Sequence, residues 1–410
     1  MLSLKLSFTK VGSLVFLGLM LLGAGCGGSQ NNSQTSTPQI AFASSGSLDG
    51  SNASNNICQP FLTNHGILPT NGFNLWGVNA SGTSLHPLTK LITCEISVNP
   101  VWSPDGSRIA FDSNRALDGH DGSNGTVLNI WLINADGSGI TRLATPTTAA
   151  SGPVWSSDGS TILFNGDGNI WKIRADGSAA TQLTKLPQGT AFQGSLSPDG
   201  QKIVFGSAQA LDGSNSFNTN FANNIWVMNP DGSSPHPLTS FTFALEVAEE
   251  PIWSNDGSKI SFISNGALDG SDTSNMNINL WVMNPDGTNR TPLTKLTSAD
   301  GNSVLASAWS PDSKRIAYIS GGNIWVINAD GTGNSQLTTF TNTATGSSPS
   351  WSPDSKQLVF ASNNPIGITN NFNIWLINSD GSGLVPLTKY SLAGTSDNGG
   401  PGAFSPVWRP

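Results

Sequence analysis

From residue 39 onward, short apolar runs alternate with turns rich in Asp, Gly, Asn and Ser, and one pattern returns seven times. Its most regular marker is Asn-(Ile/Leu)-Trp or a close relative, at Trp76, Trp131, Trp171, Trp226, Trp281, Trp325 and Trp375, with a mean spacing of about 50 residues. Each copy continues into a turn such as Asn134-Ala135-Asp136-Gly137, and the first has Asn79-Ala80-Ser81-Gly82. A second marker, Trp-Ser-Pro-Asp-Gly or a variant, begins at Trp102, Trp155, Leu196, Trp253, Trp309 and Trp351. Between the markers lie β-rich runs such as Lys202-Ile203-Val204-Phe205 and short segments ending in Leu-Thr, as in His86-Pro87-Leu88-Thr89. With the Pro-Val-Trp segment in front, each repeat predicts four strands, A to D. Asp-Gly hairpin turns make them antiparallel meanders.

Two details select the architecture. Strand C is apolar at consecutive positions (Ile130, Trp131, Leu132, Ile133), so both its faces are covered, as in sheets stacked around an axis. Proline occurs in strand A (Pro100, Pro153, Pro251) and strand D (Pro87, Pro237, Pro292, Pro386), never in B or C. Proline lacks the ladder N–H, so A and D are sheet edges. The expected fold is all-β: a seven-bladed β-propeller of four-stranded antiparallel blades. Gln39-Ile40-Ala41-Phe42 reads as a strand B without a preceding A. Ser405-Pro406-Val407-Trp408 reads as a strand A without a following B, and pairing the two closes the ring.

The motifs Trp102-Ser103-Pro104-Asp105-Gly106 and Asn129-Ile130-Trp131-Leu132-Ile133-Asn134 resemble the TolB-type (WD40-like) β-propeller repeat of bacterial envelope proteins, over about residues 39–410. That family includes periplasmic scaffolding proteins, the propellers of oligopeptidases and a few polysaccharide lyases. The resemblance therefore implies a fold more than a function. Seven blades and no recognisable N-terminal α/β domain depart from the six-bladed Tol-system protein itself.

The N-terminus reads as an address. Lys5 and Lys10 precede an apolar run, Val11 to Leu22, that is short for a membrane-spanning helix. Gly23-Ala24-Gly25-Cys26 follows and resembles a bacterial lipoprotein signal, with Gly23 where that family has a branched aliphatic residue. The resemblance implies a signal peptide over 1–25, a lipidated Cys26 with a flexible tether over 26–38, and the propeller over 39–410. An ordinary cleaved signal or an uncleaved anchor remains open, and every version exports the chain to the envelope. The tether would span on the order of 20 Å.

Composition narrows the partners. With 18 basic against 26 acidic residues and a net charge of −8, the chain lacks the basic footprint that nucleic acid or an anionic lipid surface requires. The membrane would be reached through the N-terminal lipid alone. Three cysteines exclude a disulfide-stapled scaffold and a thiolate metal cluster.

Twelve of the 26 acids are turn aspartates: Asp105, Asp136, Asp158, Asp176, Asp199, Asp231, Asp256, Asp286, Asp312, Asp330, Asp354 and Asp380. Asp accepts backbone N–H bonds in tight turns, so these are expected to be structural. His86 and His236 occupy equivalent strand-D places and read as repeat positions. In a four-stranded meander the A–B and C–D turns share one face of the ring, and the B–C and D–A connections share the other. The second face carries the long insertions, the usual carriers of binding. Leu-Asp-Gly loops there contribute Asp49, Asp118, Asp212 and Asp269, with Asp121 and Asp272 beside them. Glu246, Glu249 and Glu250 fall in D–A connectors and are expected at the axial opening.

Asp118, Asp121 and Asn124 form the densest oxygen cluster, a candidate Ca2+ site against the alternative of a self-capped Asx turn. Phe217, Phe221, Phe241, Phe243 and Tyr390 are candidate glycan platforms or simply loop packing. Cys58 and Cys94 fall on one face, so in an oxidising compartment a disulfide is expected, worth roughly 3–4 kcal/mol. No Gly-x-Ser-x-Gly elbow or His-Glu-x-x-His motif is present, and four histidines are few for a lyase metal site. The expectation is a non-catalytic envelope lipoprotein without a cofactor, Ca2+ aside, that binds an envelope protein or cell-wall glycan through the long-loop face. The alternative is a polysaccharide lyase or hydrolase with its site at that axial opening.

Overall fold

The computed structural model describes residues 39–45, 61–63, 66–68, 73–89, 96–116, 127–143, 147–186, 191–211, 218, 222–242, 246–268, 274–297, 302–340, 346–363, 372–389 and 403–410. Within them seven four-stranded antiparallel sheets follow one another. In the order A, B, C, D, blade one is Ala403–Trp408, Ile40–Ser44, Asn74–Val78 and His86–Pro87. Blade two is Ser97–Trp102, Arg108–Ser113, Asn129–Asn134 and Thr141–Arg142. Blade three is Ala150–Trp155, Thr161–Gly166, Asn169–Arg174 and Thr181–Gln182. Blade four is Ala191–Leu196, Ile203–Ser207, Asn224–Met228 and His236–Pro237. Blade five is Ala248–Trp253, Ile260–Gly266, Ser274–Met283 and Thr291–Pro292. Blade six is Val304–Trp309, Arg315–Ser320, Asn323–Asn328 and Ser335–Gln336. Blade seven is Gly346–Trp351, Gln357–Ser362, Asn373–Asn378 and Val385–Pro386. A separate two-stranded hairpin, Phe61–Thr63 with Gly66–Leu68, lies between strands B and C of blade one.

The ring closes as the sequence predicts. Ile40 pairs with Trp408 and Ser44 with Ala403, so the last strand supplies the first blade's strand A. Arg409 fastens this joint: its N–H donates to the Gln39 carbonyl, its Nε donates to the Gly106 carbonyl at 2.8 Å, and its guanidinium lies 5.7 Å from the Trp102 ring centre. The proline pattern is borne out, since every strand B and C is free of proline and A and D are the outer members of each sheet.

The two sequence markers have physical reasons. In Trp-Ser-Pro-Asp-Gly, the Ser103 hydroxyl donates to Asp105 Oδ1 and accepts the Arg108 N–H, while Asp105 also accepts the Ser107 N–H. The turn is thereby closed from both sides. In Asn-Ile-Trp, the asparagine is half of a clasp. Thr89 Oγ1 donates to Asn74 Oδ1 and accepts the Leu75 N–H, which ties the end of strand D to the start of strand C. The same clasp joins Thr184 to Asn169, Thr239 to Asn224, Thr294 to Asn279, Thr338 to Asn323 and Thr388 to Asn373. In blade two the sequence has Ala144, which carries no hydroxyl, at the threonine's place.

Strand-A tryptophans pack between blades, each burying on the order of 200 Å² of ring. Trp102, Trp155, Trp253, Trp309 and Trp351 are all nearly inaccessible. Trp155 donates its indole N–H to the Val101 carbonyl of the preceding blade at 3.1 Å.

Candidate functional site

Strand A of each blade packs against strand A of both neighbouring blades, whereas strand D touches only its own strand C among the described strands. Strand A therefore borders the axis. Its register on strand B slips in every blade, for example between Val98 and Val101 and between Glu249 and Ile252. Six of the seven bulges hold a residue at positive φ: Asn99 (51°), Gly152 (66°), Gln193 (55°), Glu250 (52°), Ser348 (51°) and Ser405 (49°). Five of these six are not glycine, and bulges of this kind re-aim side chains beside functional sites.

On blades two, four and five the residues at the bulges are polar, and polar links join blade two to three and blade four to five. Asp112, on strand B of blade two, is wholly buried. It accepts a hydrogen bond from Asn99 Nδ2 at 3.0 Å and another from the Gly152 N–H of blade three at 3.1 Å. Burial pushes its carboxyl up to about 7, against the pull of those two donors. Two blades on, the Glu250 N–H donates to Gln193 Oε1 at 3.0 Å. Burial, and after it the adjacent Glu249 charge, push the Glu250 carboxyl up to about 7, while the Gln193 side chain draws it down. Glu249 accepts from Asn223 Nδ2 at 2.6 Å. A carboxyl with a pKa near neutrality in a polar recess can accept or donate hydrogen bonds, and can meet a cation when ionised.

Several expectations change at this point. Glu249 and Glu250 lie inside strand A of blade five rather than in its connector, because the bulge starts the strand earlier than its Pro-Ile-Trp segment suggests. Glu246, expected at the opening, is fully buried; its carbonyl accepts the Asn223 N–H where Asn223 and Val247 bridge two blades. Phe241 packs against Gly266 and the core of blade five, and its carbonyl accepts from Asn218 and Asn224, so it is loop packing. Cys26, Cys58, Cys94, Asp49, Asp118, Asp121, Asn124, Asp212, Asp269, Asp272, Phe217, Phe221, Phe243 and Tyr390 lie outside the described residues. Among the described residues, no three His, Cys, Asp or Glu come together as a metal-binding group.

The twelve turn aspartates behave as structural groups. Hydroxyl and backbone N–H donors hold their carboxyls below the usual range, Asp105 at about 2 and the others in the same direction. His86 and His236 each set Nδ1 against a carbonyl two residues earlier, Ser84 and Ser234.

Asp112, Asn99, Gln193 and Asn223 were missed by sequence reasoning. Asp112 had a signal: the matching strand-B position holds Gly206, Ile263, Ile319, Ala361 and Ala43 in five other blades, so a carboxylate there breaks the repeat.

No family model matches the chain. Over 81 residues it is 33% identical to the Tol-Pal system protein TolB of Anaeromyxobacter dehalogenans, a stretch covering 20% of this chain and 16% of that protein. The repeats are TolB-like. Among solved structures, an oligogalacturonate lyase of Vibrio parahaemolyticus matches with a TM-score of 0.54 at 17% identity, over 82% of this chain and 85% of the lyase. An oligogalacturonate lyase in complex with manganese matches with a TM-score of 0.51 at 17% identity, over 72% and 77%. At such identities the likeness speaks for the fold alone. Propellers of this shape include enzymes, so function rests on the site.

Proposed function

We propose that the protein is a binding scaffold of the cell envelope, held to a membrane through a lipid on Cys26, and that it engages an envelope protein or a cell-wall glycan at the axial opening of its long-loop face. The carrying observation is the Glu249–Glu250 pair, set on the innermost strand by a bulge and flanked by Gln193 and Asn223. These groups suit hydroxyl-rich or amine-bearing ligands, and the loops with Asp49, Asp118, Asp121, Asp212, Asp269 and Asp272 would extend the contact outward. The similarity to a Tol-Pal system protein supports an envelope protein as partner. Crosslinking in intact cells tests this. Photo-crosslinkers at Asn99 and Gln193 are expected to capture a partner that Glu249→Gln/Glu250→Gln loses. Capture only from the A–B turns, unaffected by that double change, would overturn the reading.

One observation favours the alternative of a polysaccharide-acting enzyme: Glu250 is held near neutrality beside a second carboxylate, the setting of a general acid or base. Turnover of a polyuronate or peptidoglycan fragment that vanishes in Glu250→Gln would establish it.

A further inference from the structure

Six of the seven seams between blades receive an indole from the following strand A: Trp102, Trp155, Trp253, Trp309, Trp351 and Trp408. Four of these indoles donate to a carbonyl of the preceding strand A, at Val407, Val101, Ile252 and Ala308. Three are also covered by an arginine of the preceding blade, Arg409 over Trp102, Arg108 over Trp155 and Arg315 over Trp351, at 4.9 to 5.7 Å. The seam between blades three and four has neither element. Leu196 stands where the tryptophan would be and Thr161 where the arginine would be. A cleft of about 420 Å³ opens along this seam, between Leu183 and Leu186 of blade three and Asp231 and Ser233 of blade four, floored by Phe205 and Met228.

Other contacts still cross the seam. Ser157 Oγ donates to the Pro198 carbonyl at 2.6 Å, Lys172 Nζ donates to the Pro230 carbonyl, and the Ala191 N–H donates to the Gly168 carbonyl at 3.1 Å. Leu163 and Ile170 meet Ile203 and Trp226 in the apolar layer. An aliphatic side chain covers less surface than an indole and offers no N–H, so at this place it ties the two blades less firmly. The position matters too. This seam lies between the Asp112–Gly152 link of blades two and three and the Gln193–Glu250 link of blades four and five.

We propose that the seam between blades three and four is the compliant joint of the ring, the place where the propeller opens first and where the polar half of its axial wall changes width. The proposal does not depend on what the axial opening binds. Native-state hydrogen exchange on the full chain tests it, because equivalent amides report on each seam. The Ala191 N–H bonds Gly168, the Ala150 N–H bonds Leu128 and the Ala248 N–H bonds Asn223. Ala191 is expected to exchange at least about tenfold faster than Ala150 and Ala248, with a weak denaturant dependence that marks local opening. Trp155→Leu is expected to bring Ala150 up to the Ala191 rate, and Leu196→Trp to slow Ala191. Equal or slower exchange at Ala191 in the unaltered protein would overturn the proposal, as would Trp155→Leu leaving Ala150 unchanged. The unaltered protein alone decides the matter if either variant fails to fold.

Discussion

Between blades two and five, strand A carries Asn99, Gln193, Glu249 and Glu250, with Asp112 behind Asn99 on strand B; from blade six through seven to one, the matching strand-A places hold Leu305, Ala306, Ser348, Phe404 and Ser405. The second half also holds a cleft of about 310 Å³ lined by Trp309, Pro349, Trp351, Pro406 and Val407. The bulged backbone is common to both halves, so chemistry is written onto a constant frame by one or two side chains per blade. The halves are also joined differently. Indoles stand at seams of both halves, but the polar half adds side-chain links at Asp112 and Gln193, whereas the apolar half is completed by the closing strand.

The sharpest way to break this comparison is to remove 404–410. Blade one then loses its strand A, and the apolar half loses Phe404, Val407 and Trp408. Loss of a single cooperative thermal transition is expected, and a truncated chain melting like the full one would remove the closing strand from the account. The next largest effect is at Asp112. At pH 5, Asp112→Ala leaves the Asn99 amide and the Gly152 N–H without their acceptor and is expected to destabilise by about 2 kcal/mol in denaturant titrations. Asp112→Asn keeps an acceptor and no charge, so it is expected to be near neutral at pH 5 and stabilising at pH 8.

Two opposed pH effects follow. Asp112 and Glu250 titrate above the usual carboxylate range, so the stability tied to their protonated forms is complete below about pH 4 and lost as the pH rises through about 7. The turn aspartates titrate below that range. Their contribution is present above about pH 4 and lost as the pH falls towards 2. Stability measured against pH is expected to peak between these windows, with the alkaline fall abolished in Asp112→Asn/Glu250→Gln. The smallest effect belongs to Leu305, 61% exposed on the apolar half. Leu305→Ser is expected to change stability by less than about 0.5 kcal/mol while weakening any ligand that reaches across the axis.

Much of this was legible in the chain because repetition removes ambiguity. Seven copies of one marker, prolines confined to two strands and a stranded Ser-Pro-Val-Trp at the end specify blades, edges and closure together. The axial wall was harder to read. Its residues enter through bulges that lengthen strand A, so Glu249 and Glu250 look like connector residues until the register is seen. Glu246 is hidden by a bridge between Asn223 and Val247, a long-range contact with no local pattern. Asp112 breaks the repeat visibly, yet one of its two partners, Gly152, comes from a strand 40 residues away.

The outermost strands are only two residues long, and most are pinned by the threonine–asparagine clasp. So brief a margin offers a neighbouring molecule almost no unpaired backbone to grip. Many copies crowded side by side would therefore slide past one another rather than zip into fibrils.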